Sequence, residues 1–108
     1  MSTAKHFINV DGQVTEQDDR TVEACAAFQV AMLKEACQRA ILADVPDYKQ
    51  RNAALGLLSE QEEAFVRAAI TLCRNRCAAL EAQVAAIAAD HGLTRTQACD
   101  AIQAVLWT

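Results

Sequence analysis

The chain has 108 residues and is 53% hydrophobic with only 5% aromatics, so it offers one modest core of closely approaching helices and not a bulky sandwich. Its net charge is -4 and its ten Lys and Arg are scattered, without the basic stripe that displaces counterions from phosphates, which argues against nucleic-acid binding. No run of 18 apolar residues occurs and the opening MSTAKHFINVDG lacks a signal peptide's apolar core, so neither membrane insertion nor export is expected.

Residues 1–18 form a segment of their own. HFINVDGQVT sets Phe7, Ile8, Val10 and Val14 around Asp11-Gly12, a turn signal that predicts a short β-hairpin or an extended arm. An isolated hairpin is marginal in water, so the arm is expected to lie on the helices or to pair with another copy. Residues 19–44 turn helical: Val22, Cys25, Val30, Leu33, Cys37 and Ile41 share one broad face, while Glu23, Lys34, Glu35 and Gln38 lie opposite. Gln29 points into the apolar face, where an amide needs a partner or costs stability.

Asp44-Val45-Pro46 ends that helix, because the residue before proline is driven out of the helical region. A short helix over residues 47–58 follows, weakened by Gly56. Ser59 opens S-E-Q-E, a capping box with Glu62 at the head of a long helix over residues 60–91, roughly 48 Å at the usual rise. Gly92 is placed as its left-handed terminator. Thr94 opens a second box, T-R-T-Q, and a last helix over residues 94–107 buries Ala98, Ile102, Val105 and Leu106. The expected fold is one all-α domain spanning residues 1–108, a helical bundle with one long heptad-patterned helix and an N-terminal arm.

In the long helix Val66, Ile70, Cys73, Cys77, Leu80, Val84 and Ile87 recur at alternating steps of four and three, with His91 next in the series. Placing Val66, Cys73, Leu80 and Ile87 at d puts Ile70, Cys77, Val84 and His91 at a, with Arg76 at g and Glu81 at the following e, where two parallel helices pair charges. This seam either packs against the first helix of its own chain or joins copies. The helix's length and a second small-residue face with Phe65, Leu72, Ala79 and Ala86 favour self-association as well.

Five cysteines, Cys25, Cys37, Cys73, Cys77 and Cys99, cannot form a complete internal disulfide set, and each falls in a helical pattern beside alanines, as small buried hydrophobes do. Cys73 and Cys77 share a helix face, but a closed zinc site needs two further ligands and the only imidazoles are His6 and His91. His91 lies roughly 21 Å beyond Cys77 on the same helix, out of reach of a shared ion. The chain has no nucleophile elbow, no phosphate-cradling glycine loop and no H-E-x-x-H, so no catalytic, cofactor or metal role is expected.

IAADHGLTRTQACDAIQAVL, residues 87–106, resembles the first helix-turn-helix of HU-type histone-like proteins in its Gly92-Leu93-Thr94 turn and in Ala98, Ala101 and Val105. The basic β-arms with which HU proteins hold DNA do not follow, so the likeness speaks to how two helices turn. DYKQRNAALGLLSEQE, residues 47–62, resembles a segment of small tail-associated or tail-fibre-related proteins of tailed bacteriophages, with residues 48–56 as the matching run ahead of a cysteine-bearing helix. That resemblance implies a virion structural or assembly protein that oligomerises with itself and contacts other virion proteins, located in the particle or in the host cytoplasm before assembly. Tyr48, Lys49 and Arg51 are the candidate partner contacts. Their plainer reading is a polar helix start with Tyr48 stapled to the core. The competing functional expectation is a small helical binding protein that sequesters a ligand or host factor, as phage-encoded inhibitors do.

Overall fold

The computed structural model of the protein describes residues 3–10 and 12–108, with backbone alone for residues 6–10 and 13–16. Two short strands, β1 (His6–Val10) and β2 (Gln13–Gln17), pair antiparallel, with Val10 opposite Gln13 and His6 opposite Gln17. Gly12 closes the loop at φ 78°, a left-handed conformation that glycine reaches without a Cβ clash. Asp11 of the expected turn, and the packing of Phe7, Ile8, Val10 and Val14, lie outside the described residues.

Four helices follow, α1 (Val22–Asp44), α2 (Asp47–Ala54), α3 (Glu60–Ala88) and α4 (Arg95–Gln103), so the chain is the helical bundle with one long helix that its patterning implied. Each helix is shorter than its sequence pattern, for local reasons. α1 starts at Val22 and not at residue 19 because Thr21 is the cap: its Oγ1 accepts from the Ala24 amide at 3.1 Å. α2 stops at Ala54 and not at residue 58 because Gly56 turns left-handed at φ 70°. The Leu57 amide then donates to Asn52 O at 2.9 Å and the Gly56 amide to Ala53 O at 3.2 Å, the paired bonds of a Schellman terminator.

α3 begins at Ser59, whose Oγ accepts from the Glu62 amide and donates to the Glu62 carboxylate, both at 3.2 Å. It ends at Ala88, short of residue 91, and Gly92 is not the left-handed terminator it was expected to be. The Asp90 carboxylate accepts from the Gly92 amide at 2.8 Å and bends the chain toward Thr94. At Thr94 the expected box forms in both directions, Gln97 N to Thr94 Oγ1 at 3.2 Å and Thr94 N to Gln97 Oε1 at 3.0 Å. α4 ends at Gln103 and not at residue 107, because the tail is drawn onto α1: Gln29 Nε2 donates to Val105 O at 2.7 Å.

α1 and α3 run side by side and antiparallel, since Lys34 lies near Glu81 while the start of α1 lies on α4, and α4 packs across both helices. α2 rests on α3. The core joins Cys25, Leu33 and Cys37 of α1 to the inward face of α3, to Cys99 and Ile102 of α4, and to Val105. The result is long and thin, 69 × 30 × 19 Å with a radius of gyration of 19.6 Å, where a compact chain of this length has about 13 Å.

Candidate functional site

The heptad seam is the bundle's own core. Val66, Cys73, Cys77, Leu80 and Val84 are buried, Ile70 and Ile87 partly so; Cys73 to Ile87 pack on α1 and α4 of the same chain, while Val66 lies beside Lys49 and Leu58 and Ile70 beside Ile41 and Gln50. The charges expected to pair across two parallel helices are also used internally. Arg76 lies over the Trp107 ring, 5.8 Å from its centroid, and Glu81 Oε1 is 3.8 Å from Lys34 Nζ of α1. His91 lies exposed beyond the end of α3.

All five cysteines are free and buried, and they meet across elements. Cys25 of α1 neighbours Cys99 of α4, and Cys37 of α1 neighbours Cys77 of α3. Burial first, and then the adjacent Cys99 thiol, pushes Cys25 up to about 11, and Gln103 Nε2 stands 3.6 Å from its sulfur. Burial likewise raises Cys77, with the Glu81 carboxylate and Cys37 adding to the effect. For Cys25 and Cys77 the surroundings favour the thiol, the opposite of what activates a nucleophilic cysteine. Among the described residues no three of His, Cys, Asp and Glu converge as a metal site requires, and no helix is long and apolar enough to cross a membrane.

A polar cluster that the sequence reading did not anticipate sits where the N-terminal hairpin meets α4. Arg20 is 2% exposed. Its Nε and Nη2 donate to the two Asp18 oxygens at 2.9 Å each, its Nη2 also reaches Asp100 at 2.7 Å, and its Nη1 donates to Gln103 Oε1 at 2.9 Å. Thr96 donates to Asp18 at 2.9 Å, Arg95 to the Asp18 carbonyl, and Gln103 Nε2 to Thr3 O at 2.6 Å. The Arg20 hydrogen bonds hold the Asp18 carboxyl well below the usual carboxylate range, and the Asp18 bonds raise Arg20 above its ordinary value. A guanidinium held bidentately by Asp18, with four of its five N–H donors engaged, is a clamp, and it fixes the base of the hairpin to α4. The only local signal was Asp18-Asp19-Arg20 beside a helix start; Asp100 and Gln103 lie some eighty residues away.

The candidate partner residues of α2 do not form one site. Tyr48 is 56% exposed, so it is not stapled to the core. Arg51 lines a polar hollow with Asp47 and Gln50, whereas Lys49 lines another with Leu58, Gln61 and Phe65. Gln50 Nε2 donates to Val45 O at 2.8 Å and fastens α2 to the end of α1.

The outer face of α3 is open and apolar. Phe65 is 58% and Leu72 62% exposed there, and a shallow groove is lined by Ala64, Arg67, Ala68, Thr71, Leu72 and Asn75. No protein-family model matches the chain, and neither the curated proteins nor the solved structures provide a match.

Proposed function

We propose that the protein is a structural or assembly component of a tailed-phage particle, working through oligomerisation and contacts with other virion proteins, without catalysis. The observation that carries this reading is surface area. The chain exposes 7372 Å², whereas a compact monomer of 11.7 kDa exposes about 5,900 Å². The excess, about 1,500 Å², approaches two footprints of the roughly 800 Å² that a standard interface takes from each partner. Exposed Phe28, Leu42, Leu55, Leu57, Phe65 and Leu72 lie on that surface. A thin bundle whose own core is complete has this area left for neighbours, and the likeness of residues 48–56 to tail-associated proteins supplies their class.

Sedimentation of the purified chain at tens of micromolar tests the reading: an oligomer is expected, and a strict monomer would overturn it. Mass spectrometry of particles purified from cells carrying the gene tests the virion assignment, which fails if the chain is left behind in the lysate. A second reading, a small helical binding protein, is favoured by Tyr48, Leu55 and Leu57 standing exposed around the end of α2. On that reading Tyr48→Ala with Arg51→Ala abolishes partner capture while helicity stays unchanged.

A further inference from the structure

The outward surface of α3 carries a second heptad, distinct from the buried one. Phe65, Leu72 and Ala79 recur every seven residues, and Ala68, Asn75 and Ala82 fall between them at alternating steps of three and four. All six are exposed. At 100° per residue their mean direction lies roughly 140° around the helix from the buried seam. α1 therefore covers one side of α3 while the strip over residues 65–82 stands open on another, about 26 Å at the usual rise.

The strip carries no charge. Two cations bordering it are engaged, Arg67 with Glu63 at 2.7 Å on one side and Arg76 with the Trp107 ring on the other, and Lys49 stands beside its Phe65 end. On a chain with net charge -4, a neutral strip is where two copies can approach without bringing like charges into contact.

Resting on the self-association reading above, we infer that a second copy of this chain covers the strip, with the two α3 helices parallel and in register. The pairing is self-complementary in that orientation. Phe65 meets Phe65 and Leu72 meets Leu72 at successive layers, and the alanines farther along let the backbones approach closely. Asn75 then meets its own copy, where two amides can each donate and accept, and a single such pair at a seam fixes register and strand number. Arg76 falls opposite Thr71 of the second copy. In an antiparallel pairing centred on the strip, Leu72 would lie level with Asn75 of the second copy, setting each amide against an apolar side chain instead. Tyr48, Arg51 and the hairpin lie off this strip and stay available to other proteins.

Two variants test this on the full chain. Phe65→Glu with Leu72→Glu changes side chains that are 58% and 62% exposed, so helicity by circular dichroism is expected to hold while self-association weakens at least ten-fold in sedimentation equilibrium. Ala79→Cys places an exposed thiol at the seam, and with oxidised glutathione as the oxidant it should form a covalent dimer that reductant reverses, while the native chain, whose five thiols are buried, does not. A native chain that is monomeric at 100 µM overturns both this inference and the reading it rests on. A native oligomer unaffected by the folded double-Glu variant leaves self-association standing but removes the strip, as it would if the strip served a different protein. Loss of the oligomer without a covalent dimer from Ala79→Cys keeps the strip and overturns the parallel register; should the double-Glu variant misfold, the crosslink alone decides.

Discussion

Replacing Gln29 with Met removes one donor from the core and little else. The side chain is 3% exposed, and its Nε2 donates at 2.7 Å to the carbonyl of Val105, itself 8% exposed. Met keeps nearly the length and volume, so no large cavity opens. The Val105 carbonyl is left buried without that partner, a loss that costs about 1–3 kcal/mol. At the usual unfolding entropy per residue, 108 residues give about 0.23 kcal/mol/K, so Tm should fall by about 4–13 °C. Thermal melts followed at 222 nm report it, with native and variant at equal concentration because assembly also shifts Tm. A Tm within about 1 °C of native would show that the amide does not hold the tail, and the account of why α4 stops at Gln103 would fall with it.

Leu80→Asp should abolish the helical signal of the isolated chain, since Leu80 is 8% exposed in the core and an unpartnered buried carboxylate costs several kcal/mol; a helical, folded monomer would mean that the seam joins copies and is not a core. Folding lowers the Asp18 carboxyl below its ordinary 3.8 through the Arg20 hydrogen bonds. The folded state therefore holds fewer protons than the unfolded one in acid, and stability present above that value drains away as pH falls below it. Asp18→Asn should flatten this acid slope in urea titrations, and an unchanged slope would remove the clamp from the account. At the alkaline end, Cys25 rises from 9.0 to about 11 on folding, so its contribution is intact below pH 9 and lost as pH climbs through 11. Cys25→Ala should lose stability less steeply than native across that window, and parallel curves would refute the linkage.

Tyr48 and Gly56 show where local sequence misleads. A tyrosine one place into a helix can staple to the core only if the core reaches it, and α2 rests on α3 with Tyr48 on its free side. Gly56 reads as a weak point in a helix of residues 47–58, yet in the folded chain it is the terminator, and Gly92, placed for that role, is not. Both glycines are permissive. The amides and carbonyls around each decide which one turns left-handed, and at Gly92 the Asp90 carboxylate had already taken the free amide.

The sequence by itself determined the class of the molecule. Apolar spacing near 3.6 produced the helices, Thr94 with Gln97 set the start of α4, Pro46 separated α1 from α2, and the 66–87 heptad marked the buried side of α3. These are short-range effects, written in residues within a turn or two of one another. Tertiary structure alone decided what that seam faces, because a heptad stripe is equally satisfied by a helix of its own chain or of another copy. It also decided the fate of the polar residues: Arg20 finds Asp100 and Gln103, and Gln29 finds Val105, across gaps of 76 to 83 residues. A hydrogen bond depends on position in space, and spacing along the chain carries no record of a partner that distant. Once α1 had taken the inner face of α3, Phe65, Leu72 and Asn75 were left on the outside, which moves the question of self-association from the first heptad to the second.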